Sequence, residues 1–337
     1  MRILISLLSD HIIPSYLYIK ETEDEFDQMI FITTDHTEKM KIGIHLENTL
    51  TLTPESVRRV MVSNENYAEI LAQLENAGFS NNDHYIVNET GGTKAMSIAL
   101  FHFFSQRGAK FVYIPIGTNS YFTFDSKEEH PIKYRMNLKE YLSLYGLNYV
   151  CDNSLIYDEK FTRDKVFANL KEKHFFLLED MRKAQQLPDG KEKRYWGGTW
   201  FEEYIYRRIV RERQLPEDCV GKSVKIYRKE VVLPNDNQND NEIDVMYVEN
   251  NKLYVIECKM TMTGDGKNIK HNVEGFLYKL AAIAKDLGLH VNSYLFTCHQ
   301  MHRLSADSLE NIHKRCHILG IKGIFSGKEL SESKLRM

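Results

Sequence analysis

The chain has 337 residues, 42% hydrophobic and 27% charged, with 44 Lys and Arg against 47 Asp and Glu for a net charge of −3. This is longer than one average domain and too apolar for a disordered chain, so two packed domains are expected. The charge balance excludes a uniformly basic nucleic-acid coat while leaving room for a local basic face, and no window approaches the ~18 apolar residues of a membrane span.

The opening MRILISLLSD carries a short apolar run broken by Ser6 and no small-residue cleavage site. It reads as a first strand, Ile3–Leu8, and not as a signal peptide. The acidic stretch Glu21–Asp27 reads as solvated surface before a second strand, Phe26–Thr33. A helical pattern over Tyr67–Asn76 ends near Gly78, His84–Val87 reads as a strand, Lys94–Gln106 as a helix stopped by Gly108, and Phe111–Ile116 as a strand ending at Gly117. Strands alternating with helices predict a parallel sheet covered on both faces.

Between the strand at 84–87 and the helix at 94 stands Asn88-Glu-Thr-Gly-Gly-Thr-Lys94. Its glycines allow close backbone approach to a ligand, and a helix N-terminus offers free N–H donors to an anion. Thr90, Gly91, Gly92, Thr93 and Lys94 are the candidate contacts. The spacing is neither a Walker A loop nor GxGxxG, and a tight turn without a ligand is the plain alternative. Ser9, Asp10 and His11 end the first strand, and Gly117, Thr118 and Asn119 end a later one. In open parallel sheets ligands bind beyond the carboxyl ends of the strands, where three such loops could converge. Ser-Asp-His-x-x-Pro after the first strand, with Asn-x-Thr-Gly-Gly-Thr-Lys-x-Met from Asn88 to Met96, resembles CARF domains. These are Rossmann-like sensors of cyclic oligoadenylates in type III CRISPR immunity. The resemblance implies a homodimer sharing one ring ligand, usually cyclic tetra-adenylate.

Residues 138–193 read as a connector, with a helix near Asp164–Lys183 and a turn at Pro188-Asp189-Gly190. This divides the chain into a first domain at 1–137 and a last domain at 194–337. The last domain starts a helix at Thr199, an expected N-cap with Glu202 three residues on. Strands near Ser223–Val232, Glu242–Val248 and Leu253–Met260 follow, then a helix near Val273–Leu287, a strand at Ser293–Thr297 and a helix near Ser305–Cys316. From Arg182 to Lys229 there are 13 Lys and Arg against 7 Asp and Glu. Arg207, Arg208, Arg211 and Arg213 on one helix are either a phosphate-neutralising face or an ordinary basic helix.

The strands at 242–248 and 253–260 flank Asn250-Asn251, a pair that tolerates the positive φ of a two-residue hairpin turn. Cross-strand partners would then have residue numbers summing to 501, which sets Asp244 opposite Glu257 and Glu242 opposite Lys259. Glu257 and Lys259 share a face by alternation, and Asp244 joins them with Cβ atoms about 5 Å away. Facing carboxylates repel, and a divalent cation between them relieves that. Asp244 and Glu257 suit Mg²⁺ or Mn²⁺. Lys259 could orient a water or stabilise a pentacoordinate phosphate. The plain alternative is a solvated Glu–Lys pair on an exposed strand.

Asp244 followed by Glu257-Cys258-Lys259 resembles the PD-(D/E)xK nuclease core, whose layout is helix, three strands, helix, strand. The usual Pro is absent, since Ile243 precedes Asp244. The first-helix acid would be Glu202, which shares a helical face with Ile205, Tyr206 and Ile209; Glu203 competes. Lys279 on the later helix either contacts a phosphate or is solvated.

CARF followed by PD-(D/E)xK resembles the CRISPR ancillary nucleases carrying both on one chain, a match covering nearly the whole length. It implies an α/β fold with an N-terminal Rossmann-like CARF domain and a C-terminal restriction-endonuclease-like domain. It also implies metal-dependent endonuclease action on DNA or RNA, switched on by the ring ligand, with Glu202, Asp244, Glu257 and Lys259 catalytic. A non-catalytic, ligand-responsive nucleic-acid-binding regulator and a constitutive restriction-type endonuclease are the rival readings. Cys151, Cys219, Cys258, Cys298 and Cys316 are scattered, odd in number and without a CxxC pair, so a reduced cytoplasmic chain is expected. Cys298, His299, His302, His313, Cys316 and His317 could be arranged as a zinc set, but core and surface roles suit them better.

Overall fold

The computed structural model describes residues 1–126, 128–156, 195–228, 239, 241–260, 266–297, 301, 304–326, 329–331, 335 and 337. They form two compact units, Met1–Leu147 and Asn148–Met337.

In the first unit, β1 (Arg2–Leu7) is central. It pairs in parallel with β2 (Gln28–Thr33) on one side and β4 (His84–Asn88) on the other. Beyond β2 lies β3 (Val57–Met61) and beyond β4 lies β5 (Lys110–Tyr113), both parallel. Leu4, Ile5 and Leu7 are fully buried, as expected of a strand covered on both faces. Ile3, Ile5, Leu7 and Val87 pack with α4 (Tyr67–Asn76) and α5 (Lys94–Ser105) into one core. A second group of helices packs together: α1 (Ile12–Thr22), α3 (Ile42–Leu50) and α6 (Leu138–Leu144). The short α2 (Asp35–Lys39), capped by Thr34, precedes α3.

The sheet is not wholly parallel. β6 (Ser120–Thr123) and β7 (Glu129–Pro131) extend it from β5 as antiparallel edge strands. The acidic stretch is mostly exposed, but Glu21 accepts the backbone N–H groups of Lys133 and Tyr134 at 2.7 and 2.8 Å, tying α1 to the segment after β7. Residues 138–147, read as the start of a connector, belong to this unit, where α6 buries Leu138, Tyr141, Leu142 and Leu144.

The second unit starts with β8 (Asn148–Val150), which pairs antiparallel with β9 (Val220–Tyr227). The expected helix at Asp164–Lys183, the turn at 188–190, and Cys298, His299 and His302 lie outside the described residues. The sheet order is β13-β12-β11-β10-β9-β8, with β10 (Asn241–Glu249), β11 (Lys252–Lys259), β12 (Asn292–Thr297) and β13 (Gly323–Ser326). β9, β10 and β11 are antiparallel, and β11, β12 and β13 are parallel. Helix α7 (Trp200–Arg213) packs on the antiparallel strands, while α8 (Gly266–Lys285) packs on β11 and β12 and against α9 (Ala306–Leu319). Helix, three strands, helix, strand is the order expected from sequence.

Thr199 is not the N-cap of α7. Its backbone is helical, its side chain makes no capping bond, and a π-helical turn over Tyr195–Thr199 carries the chain into the helix. The basic face expected on α7 is largely turned inward. Arg208 is buried against Glu212 and donates to Leu330 O at 2.6 Å, and Arg213 pairs with Glu249 at 3.5 Å. Arg208 thus fastens the end of the chain to the helix and Arg213 ties the helix to β10, leaving Arg211 exposed.

Candidate functional site

The hairpin turn at Asn250-Asn251 has φ of 52° and 61°, both left-handed, as a type I′ turn requires. Its ladder runs from Glu249 opposite Lys252 to Val245 opposite Ile256, the register expected from sequence. One step further along that register stand Asp244 and Glu257. The side chains meet there: Lys259 Nζ lies 2.6 Å from Glu257 Oε1 and 3.7 Å from Asp244 Oδ2. Asp244 Oδ2 also accepts the Cys258 backbone N–H at 2.6 Å. A second ammonium, Lys279 from α8, reaches Glu257 Oε1 at 3.1 Å, so Lys279 joins the cluster while its side chain stays half exposed to solvent. Phe276 of α8 places its ring 5.3 Å from the Lys259 ammonium.

The charges are unevenly matched. Glu257 is almost fully buried under two amines. Asp244 is pushed well above the carboxylate range, first by burial and then by the Glu257 charge, against the opposing pull of Lys259. Glu202 on α7 is also raised, chiefly by burial, while Lys222 and Lys259 hold it down. Glu202 therefore sits within the electrostatic reach of the cluster. Glu203 points elsewhere: it is the more buried of the two and accepts the Ile156 N–H at 3.0 Å. The helical-face argument thus selects the acid near the cluster while misjudging which of the pair is deeper.

The donor set bears on a metal. Among the described residues no group of three or more His, Cys, Asp or Glu side chains gathers at one point. Two opposed carboxylates, one raised by the other's charge, suit a hard cation whose remaining positions are filled by water. Asp244 and Glu257 fit such an ion.

Sequence reasoning missed Lys222. It is 2% exposed on β9, opposite Val245, and its charge is among those that hold the Glu202 carboxyl down. The signal was the apolar row Val220, Val224 and Ile226 with a lysine in it, in a strand expected to start only at Ser223.

In the first unit the loops after β1 and β4 come together. Gly91 has φ of +109°, and a Cβ there would lie 2.7 Å from Ser9 Oγ and 3.3 Å from Leu7 O. Gly92, with φ of +68°, follows. Thr93 caps α5 through Met96 N and donates to Asn64 O at 2.5 Å, while Lys94 is exposed. Thr90 departs from expectation. Its hydroxyl is buried and accepts the Ile114 N–H at 2.7 Å, so it ties β4 to β5 instead of facing a ligand. Ser9 Oγ accepts the His11 N–H, and Asp10 pairs with His36 at 3.0 Å, a residue that the sequence did not single out. Thr118 and Asn119 line a separate hollow with Ser120, Glu129 and Pro131, and Gly117 adopts φ of +78° beside it.

Glu89 sits within the same loop. Its carboxyl is pushed up to about 7 by burial alone, and its Oε1 is buried without a hydrogen-bond partner.

Residues 3–141 match a family model described as the Card1 CARF domain, and residues 189–326 match one described as the Card1-like endonuclease domain. No curated protein matches. The fold is similar to that of protein VC1899 from Vibrio cholerae, with a TM-score of 0.73 at 16% identity over 98% of this chain and 95% of that one. It is similar to Can2 from Sulfobacillus thermosulfidooxidans in complex with cyclic tetra-adenylate, with a TM-score of 0.69 at 19% identity over 98% and 96%. A type III CRISPR defence DNA nuclease activated by cyclic oligoadenylate gives a TM-score of 0.54 at 15% identity, over 88% of this chain and 45% of that one. At these identities the likeness is one of fold.

Proposed function

Because the chain belongs, through its two matched domains, to the Card1-type proteins that join a CARF domain to an endonuclease domain, we propose that it is a metal-dependent endonuclease switched on by a cyclic oligoadenylate. The activator we assign is cyclic tetra-adenylate, the substrate DNA or RNA, and the setting type III CRISPR antiviral defence in the cytoplasm. The observation that carries this reading is the meeting of Asp244, Glu257 and Lys259 on one surface of the second unit.

In this reading Asp244 and Glu257 hold the metal, Mn²⁺ or Mg²⁺. When bound, the metal supplies Lewis-acid charge and lowers the pKa of water. Lys259 places an ammonium beside both carboxylates, where it orients the attacking water and offsets charge growing on the phosphate. Lys279 keeps a second positive charge against Glu257. Glu202 completes the site from the α7 side, its carboxyl raised chiefly by burial, which favours its holding a proton.

For the activator, Ser9, Asp10, His11, Gly91, Gly92, Thr93 and Lys94 form the cradle, with Gly117, Thr118 and Asn119 on the neighbouring strand end. Backbone N–H groups at the start of α5 and the free ammonium of Lys94 suit phosphates. The homodimer belongs to the same proposal. Ile98 and Phe101 on α5, with Tyr113, Ile116 and Phe124, leave an exposed apolar surface on the first unit that a second copy would cover. The ligand can shift the nuclease between two arrangements only by its differential affinity for them.

Purified protein, Mn²⁺ and each cyclic oligoadenylate, assayed on single- and double-stranded DNA and RNA and on supercoiled plasmid, tests this reading. Metal-dependent cutting that rises with cyclic tetra-adenylate supports it. No cutting at any activator level refutes it. Cutting that is independent of activator would mean a constitutive nuclease with a structural first domain.

A further inference from the structure

The exposed face of α8 leads to the nuclease centre. His271, Gly275, Tyr278, Lys279 and Ala282 recur on it at helical spacing, and all five are exposed. None is acidic, in a chain whose acids outnumber its bases. Lys279 ties this face to the centre, since its ammonium lies 3.1 Å from Glu257 Oε1 while its side chain stays half exposed. A Cβ at Gly275 would meet nothing within 4 Å, so the surface one turn before Tyr278 is open.

Tyr278 is 48% exposed, yet its ring is held from the neighbouring helix. Arg315 of α9 donates to its hydroxyl and sets the guanidinium carbon 5.4 Å from the ring centroid. The other end of that guanidinium lies 3.9 Å from Glu274 Oε1 on α8. An exposed aromatic ring fixed in this way, with a guanidinium on its hydroxyl and an ammonium on the next residue, suits a nucleic-acid base. Every base offers a π face to an aromatic, and the cations beside it attract the phosphates. The occupant follows from what must reach the centre. A strand cut at Asp244, Glu257 and Lys259 passes Lys279, and Tyr278 is the aromatic next to it. A base within a duplex has its faces covered by its neighbours, so the base that rests here is unpaired.

We propose that Tyr278, held by Arg315, is a substrate-binding platform on which an unpaired base of the scissile strand stacks beside the cut. The inference rests on the nuclease reading and adds to it the surface along which the strand enters. Arg315 is a positioning residue that acts through the ring.

Full-length Tyr278→Ala, Tyr278→Phe, Arg315→Gln and Lys314→Gln test it. Lys314 is a matched control, because it also lies on α9 and pairs with a glutamate, Glu310 at 2.6 Å. Binding is read as the anisotropy of fluorescein-labelled oligodeoxythymidine, oligouridine and a blunt DNA duplex in chelator, with and without cyclic tetra-adenylate, so that no cutting is needed. Tyr278→Ala should weaken single-strand binding about tenfold and leave duplex binding within twofold. In activated cleavage its KM should rise at least fivefold with kcat within twofold, the mark of lost uniform binding. Tyr278→Phe, which keeps the ring, should stay within threefold of the wild type. Arg315→Gln should weaken single-strand binding at least threefold and Lys314→Gln by less than 1.5-fold. A wild type that binds neither single strand, unchanged binding in Tyr278→Ala, equal loss on the duplex, or a phenylalanine variant no better than alanine overturns the platform. Equal loss in the two α9 variants overturns the part of Arg315. If the wild type cuts nothing with any activator, the nuclease reading fails, and the binding measurements still decide the platform.

Discussion

Replacing Asp244 by Asn isolates the charge conflict at the centre. The Asp244 carboxyl, pushed up to about 7 in the folded chain, is displaced by roughly three units from its ordinary value, which caps its effect at about 4 kcal/mol. Sharing of the proton among coupled acids reduces that to about 2–4 kcal/mol. The sign follows from linkage. A carboxyl raised by folding contributes stability that is complete below its unfolded value near 3.9 and is lost as pH rises through its folded value. Asn cannot titrate, yet its Oδ1 can still accept the Cys258 N–H, and Lys259 keeps its shorter contact with Glu257. In chelator, Asp244→Asn should therefore match the wild type near pH 4 and exceed it by about 2–4 kcal/mol at pH 8. The chain has two tryptophans, Trp196 and Trp200, both in the second unit, so tryptophan fluorescence during urea unfolding reports this unit alone. Adding Mn²⁺ should reverse the order by stabilising only the wild type. A constant difference between the two proteins from pH 4 to pH 8 would show that the carboxylates are not in conflict, and the case for a cation between them would fall.

Lys259→Ala should lower metal-dependent cleavage by about 10²–10³ while calorimetry shows cyclic tetra-adenylate binding unchanged, because the amine lies in the second unit and the cradle in the first. Gly91→Ala should cost about 1–3 kcal/mol of first-unit stability and weaken activator binding, since its φ is +109° and the added Cβ meets Ser9; native-state hydrogen exchange and calorimetry read the two effects. Thr90→Val should cost about 1–3 kcal/mol in thermal unfolding by leaving the Ile114 N–H without its acceptor. Glu89→Gln should stabilise the first unit progressively as pH rises from 4 to 8, because the wild-type carboxyl is raised by burial and loses its contribution over that window; hydrogen exchange of β4 amides at two pH values checks the slope.

The hairpin was readable from sequence because two constraints agreed. An Asn pair that accepts positive φ set the turn, and strict alternation then left one register that buries Val245, Tyr247 and Ile256 together. The ends of β1 and β4 were readable for a similar reason, since glycine at 91 is demanded by a close approach. What escaped was set by contacts distant in sequence. α1 buries eight of its eleven residues, Ser15 and Thr22 among them, and a helix buried on most sides shows little periodicity to detect. Thr90 looked like a ligand hydroxyl because nothing local says that Ile114 lies over it. Arg208 looked like a phosphate contact because Leu330 is far along the chain. Asn153 carried no signal at all, its partners being Val220 and Lys222.

The centre's charges count evenly yet are not evenly placed. Glu202, Asp244 and Glu257 stand against Lys222, Lys259 and Lys279, but two of the three amines lie on Glu257, while the charge of the third acts on Glu202. Asp244 is left with the 3.7 Å contact to Lys259 and one backbone N–H. Positive charge added to this centre is therefore most strongly favoured beside Asp244, on the side that Glu257 also faces. Lys259 can loosen from Glu257 at low cost only when another positive charge replaces it there. In the proposed reaction the ammonium that restrains the carboxylates in the free chain would thus be the one released toward a phosphate, which makes Lys259 the group whose position should report whether the site is loaded.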